Sequence, residues 1–89
     1  MERRTRIDII HDILNAIRAK GGKIKPTHLM YRANMSHKSL NKYLKELEGK
    51  GLIASSEEKG HTYYSVTEKG IDFMKEFQKM QKFQQTFGL

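Results

Sequence analysis

"MSHKSLNKYLKELEGKGLI", running from Met35 to Ile53, decides how the rest of this chain is read. Placed at 100° intervals, Leu40, Tyr43, Leu44 and Leu47 fall on one stripe, which predicts a helix over 37–49 packed on a core through that stripe. Ser36 is a strong N-cap, and Gly49 and Gly51 in "GKG" end the segment. The opposite face carries Lys38, Asn41, Lys42 and Lys45, with His37 at its N-terminal flank and no carboxylate over two turns. Glu46 and Glu48 lie towards the sides of the stripe.

Charge is concentrated on this part of the chain. The 89 residues carry a net charge of +7 and a pI near 9.8, a balance that favours a polyanionic partner. Residues 21–50 hold seven Lys/Arg against two Asp/Glu, whereas residues 51–70 hold two against three. There is no cysteine, so disulfides, Cys-ligated zinc and thiol chemistry are excluded. The four histidines are scattered without an i, i+4 pair, the serines lack a Gly-x-Ser-x-Gly setting, and "KGGK" fits no phosphate loop. The chain reads as no enzyme, with no cofactor, metal or evident small-molecule ligand. "MERRTR" lacks a following apolar run, and the longest apolar cluster, "IDIIHDIL", is far too short for a membrane span. A cytoplasmic, nucleoid-associated protein is the expectation.

Working outward, Ile7, Ile10, Ile13, Leu14 and Ile17 predict a first helix over 5–19, with Thr5 as N-cap and Asp8 completing a partial capping box. His11 beside Asp12 reads as a helix-surface pair. "KIKP" reads as a short extended link, and "THLMYRAN" as a second helix beginning at Thr27 and stopped by Asn34. After the third helix, "LIASS" and "TYYSV" read as strands around an "EEKGH" turn, with Gly60 free to take positive φ. Thr67 caps a last helix filling most of 68–86. The class is α+β, mostly α, and the order helix, helix, helix, strand, strand, helix is that of a winged helix-turn-helix. Only "ANMS" separates helices two and three, as a helix-turn-helix unit requires. Residues 1–67 form the domain, and residues 68–89 form a C-terminal helix expected to dimerise.

The third helix supplies the expected chemistry. Lys38, Lys42 and Lys45 suit phosphates or guanine edges, Asn41 suits the N6/N7 edge of adenine, and Ser36 or His37 reaches a base or a phosphate beside the helix N-terminus. Arg3, Arg4 and Arg6 read equally as a basic arm suited to flanking backbone or as a frayed, solvated terminus. In the last helix Phe73, Phe77, Met80, Gln84 and Phe87 follow an a/d spacing that predicts a homodimer seam, while Ile71 and Met74 are left for the chain's own core. The alternative for this seam is that Phe77 and Met80 fold back onto their own subunit. Tyr43 and Tyr64 read as core residues, and Tyr31 and Tyr63 as partly exposed.

"MYRANMSHKSLNKYLKELEGKGLI" followed by "YYSVTEKG" resembles the small archaeal winged-helix DNA-binding proteins over nearly the whole chain. The matching positions are Met30, Tyr31, Ala33, Asn34 and Ser36, then Leu44, Leu47, Gly51, Leu52 and Ile53, then Tyr64, Val66, Thr67 and Gly70. The resemblance implies binding of double-stranded DNA and dimerisation through the C-terminal helix, in transcriptional regulation or chromosome organisation. One departure is the wing tip. Members often carry Arg or Lys there, and this chain has Glu57, Glu58, Lys59, Gly60 and His61, which leaves Lys59 and His61 as the wing's candidate contacts. The acidic tip also suits a second reading, a winged-helix module that binds protein and not DNA.

Overall fold

The computed structural model describes residues 4–89. Its elements are α1 (Arg6–Ala19), β1 (Lys23–Ile24), α2 (Pro26–Ala33), α3 (His37–Gly49), β2 (Ile53–Glu58), β3 (His61–Val66) and α4 (Glu68–Thr86). The order is the one expected from the sequence, with one addition. The "KIKP" link holds a two-residue strand, β1, which pairs antiparallel with β3 as Lys23↔Ser65 and Ile24↔Tyr64. The sheet order is therefore β1-β3-β2, with β3 central. A strand this short has no periodicity to read, and partner pairing defines it.

Local signals set the helix ends. Thr5 accepts a hydrogen bond from the Asp8 amide while the Asp8 carboxylate accepts from the Thr5 amide, a complete capping box for α1. α2 starts one residue earlier than expected. Pro26 occupies the first helical position, where a missing N–H costs nothing, and Lys25 is the N-cap. Asn34 ends α2 in the left-handed conformation, φ 54° and ψ 53°. Met35 and Ser36 then lead directly into α3.

The core lies where α1, α2 and α3 converge on the sheet. Ile13, Leu14 and Ile17 of α1, Leu29 of α2, and Leu40 and Leu47 of α3 are fully buried, together with Ile24 of β1 and Ile53 of β2. Each such side chain contributes about 1.5–3 kcal/mol. Tyr43 and Tyr64 pack against this cluster, as expected. Burial pushes the Tyr64 hydroxyl above its ordinary pKa, with a smaller contribution from Glu48.

The base of α4 is joined to the end of α3 and the start of β2. Thr67 caps the Gly70 amide at 3.1 Å and donates to the Gly51 carbonyl at 2.6 Å; the Thr67 amide donates to the Leu52 carbonyl at 3.1 Å. Lys69 Nζ donates to the Lys50 carbonyl at 2.8 Å. Gly70 permits this contact, because a Cβ there would stand 2.2 Å from the Leu52 carbonyl oxygen. Further along, Met74 and Phe77 are buried, and Phe77 stacks on His11 of α1 with ring centroids 4.2 Å apart. His11 is thus a packing residue, and the surface pair expected with Asp12 does not form. Its Nε2 is buried without a hydrogen-bond partner, and Asp12 pairs with Arg4 instead. Beyond Phe77, residues 78–89 are all exposed. No helix among the described residues is long and apolar enough to cross a membrane.

Candidate nucleic-acid interface

The outward face of α3 is built by opposition. The stripe of Leu40, Leu44 and Leu47 is held in the core, so residues on the other side point into solvent. His37, Lys38, Asn41, Lys42 and Lys45 are all exposed and line one open concavity of about 310 Å³. Among the described residues, none of the three lysines forms an ion pair. Ser36 Oγ accepts from the Ser39 amide at 3.2 Å, so the residue is fixed as the N-cap at the entry to this face. The first turn of α3 contains no acidic residue, and its free amides add partial positive charge at the same end.

The basic arm is arranged differently from the expectation. Arg4 folds back, donating to Asp12 at 3.0 Å and to the Ala33 carbonyl at 3.2 Å, which ties the start of α1 to the end of α2. Arg6 reaches both carboxylate oxygens of Glu46 on α3, with its guanidinium 5.9 Å from the Tyr43 ring centroid. The Arg6 hydrogen bonds hold the Glu46 carboxyl below the usual carboxylate range, and the same pairing raises Arg6. Both arginines are therefore occupied by protein carboxylates, which offsets their value as free phosphate contacts. Arg3 lies outside the described residues.

The wing is less acidic than its sequence. Lys59 and Gly60 form a two-residue turn, both at positive φ, 51° and 80°. Glu58 pairs with Lys23 of β1, and Glu57 stays exposed. On the same face of the sheet, Lys23 and Lys25 lie over the Tyr63 ring, their Nζ atoms 5.0 and 5.8 Å from its centroid. Lys59 is exposed at the tip, separate from the α3 concavity.

The chain fits the winged helix-turn-helix family model over residues 3–85. It belongs to that family. Among solved structures, this winged helix-turn-helix chain is similar to Sso10a-2, a DNA-binding protein from Sulfolobus solfataricus, with a TM-score of 0.81 and 25% identity, over 94% of this chain and 85% of that one. It is similar in fold to the PcaV transcriptional regulator from Streptomyces coelicolor, with a TM-score of 0.78 and 17% identity, over 97% of this chain and 62% of that one. It also matches Lactococcus lactis ZitR, solved in complex with DNA, with a TM-score of 0.69 and 23% identity, over 90% of this chain and 56% of that one. The chain matches no curated protein sequence.

The seam expected on α4 is divided in two by the winged helix-turn-helix body. Phe77 is 6% exposed and spent on the protomer's own core, and Phe73 packs against that core as well. Met80, Gln84 and Phe87 are exposed. Phe83, which is not among the expected seam residues, is 59% exposed and packs at a tilt against Phe87, with centroids 4.8 Å apart and ring planes 46° apart. Its signal was present in the sequence as an aromatic four residues before Phe87. Tyr31, 85% exposed, stands at the outermost point of α2.

Proposed function

We propose that this chain binds double-stranded DNA as a homodimer, with α3 in the major groove, and acts in transcriptional regulation or chromosome organisation in the cytoplasm. The observation that carries this reading is the outward face of α3: four polar or basic side chains, Lys38, Asn41, Lys42 and Lys45, exposed together, with no ion pair drawing on the lysines. Membership of the winged helix-turn-helix family supports it, as does the likeness to a Sulfolobus DNA-binding protein. Lys38, Lys42 and Lys45 take phosphates or guanine edges, and Asn41 and His37 read bases. Lys59 adds a backbone contact at the wing tip.

The dimer is built on α4, through the exposed Met80, Phe83 and Phe87 with Gln84 beside them. A small domain that leaves two adjacent aromatics in solvent gains by covering them with a second copy. A salt titration of duplex binding tests the function. With about four phosphates neutralised per protomer, the log–log slope should be near −7 for a dimer. Duplex affinity that is unaltered when Lys38 and Lys42 are both changed to Glu overturns the reading in favour of a protein-binding module.

A further inference from the structure

The Arg6–Glu46 pair sits on the edge of the α3 face. Glu46 follows Lys42 by four residues, so the two side chains are neighbours on one side of the helix. Arg6, Lys42, Tyr43 and Glu46 line one common pocket of about 170 Å³. A free Glu46 carboxylate there would lie between Lys42, four residues before it, and Lys50, four residues after it, whose charge already bears on it, and would draw on both ammonium groups. Arg6 occupies both Glu46 oxygens and is itself steadied over the Tyr43 ring. Lys42 forms no ion pair among the described residues.

We propose that Arg6 is a positioning residue for nucleic-acid binding, which engages Glu46 and so leaves Lys42 free for phosphate. This rests on the reading of α3 as the DNA-contacting helix. It reverses the role expected for Arg6 from the sequence: the arginine acts across 40 residues on a carboxylate of α3 and does not itself touch the duplex.

A charge cycle tests it, with duplex affinity measured against salt. Arg6→Gln should weaken binding about twofold per protomer and make the slope measurably shallower, because Glu46 then competes with phosphate for Lys42. Adding Glu46→Gln in the same chain should restore both affinity and slope. Glu46→Gln alone should bind at least as tightly as the wild type, since it frees Arg6. Arg6→Lys, which keeps the charge but not the guanidinium Nη2 that donates to both oxygens, should fall between wild type and Arg6→Gln. Two results overturn the proposal: an Arg6→Gln slope equal to the wild type, or a double variant that stays as weak as Arg6→Gln, the mark of a direct phosphate contact. Should Arg6→Gln fail to fold by circular dichroism, Glu46→Gln decides alone, and weaker binding sinks the idea. A wild type that does not bind duplex, or that is indifferent to the Lys38 and Lys42 changes, refutes the α3 reading itself. Retained sensitivity to those lysines with no Arg6–Glu46 coupling refutes only the positioning role.

Discussion

The outward face of α3 and the distal half of α4 are both fully exposed, and they are exposed in opposite ways. One presents Lys38, Asn41, Lys42 and Lys45 with no carboxylate among them; the other presents Met80, Phe83 and Phe87. A solvated helix surface ordinarily mixes charges of both signs and keeps large apolar groups singly scattered. Each face departs from that rule along a different axis, charge in one and hydrophobicity in the other. The difference teaches that the two surfaces suit two unlike partners, a polyanion and a protein, and that each can be damaged without the other.

The largest effect should come from the charged face. On the proposed reading, Lys38→Glu with Lys42→Glu removes two phosphate contacts from each protomer of the proposed dimer and should lower duplex affinity about 1,000-fold near 0.1 M salt, with the sedimentation coefficient unchanged. A parallel loss of the dimer would break the comparison. Next, if the proposed α4 dimer forms, Phe83→Glu with Phe87→Glu should convert it to a monomer by analytical ultracentrifugation. Duplex binding should weaken about 100-fold through lost avidity, and the salt slope should fall to about half. Circular dichroism should be unaltered, because both rings lie beyond the protomer core. The same change at Phe77 should instead unfold the protomer, which separates the buried and exposed halves of α4.

A smaller effect concerns how α4 is fastened to α1. His11→Leu removes the buried, unpartnered Nε2 beneath Phe77 and should raise stability by about 1 kcal/mol in a denaturant melt. A drop in stability would show that the imidazole–Phe77 stack outweighs the cost of the unpaired Nε2. The smallest effect is pH-dependent. Backbone and then side-chain hydrogen bonds from Thr5 hold Asp8 below the usual carboxylate range. A depressed carboxylate adds stability above its unfolded value of about 4, and that stability is lost as pH falls through the folded value. Thermal melts between about pH 6 and pH 3 should therefore show a modest loss that Asp8→Asn flattens.

What the sequence made legible follows from what each signal records. The boundaries of α3 were readable because its apolar stripe, its Ser36 cap and its closing glycines are local. The basic face was readable for the same reason, as the complement of that stripe. In α4 the spacing of Phe73, Phe77, Met80, Gln84 and Phe87 marks one side of a helix but does not say what lies against it. The structure divides that side between the protomer's own core and solvent at a point no periodicity could reveal. The ion pairs of Arg4 and Arg6 are not legible in the sequence because their carboxylate partners are eight and 40 residues away and are brought near only by folding. Likewise Lys23 quiets Glu58 through the pairing of β1 with β3, a contact invisible in "KIKP".

The hydrogen bonds that fasten the first turn of α4 to residues 50–52 have a geometric consequence. Thr67 and Lys69 bind the Gly51 and Lys50 carbonyls directly after α3 ends, so the axis of α4 is fixed relative to that of α3 within one rigid joint. In a dimer crossing on α4, the pair of α3 helices therefore behaves like the jaws of a caliper. The point where the two shafts cross sets the jaw opening and its pitch. A slip of one residue along α4 would shift the crossing by about 1.5 Å and rotate it by about 100°. In such a dimer the distance between the two α3 helices would be encoded in the distal end of α4, far from the proposed DNA-contacting face.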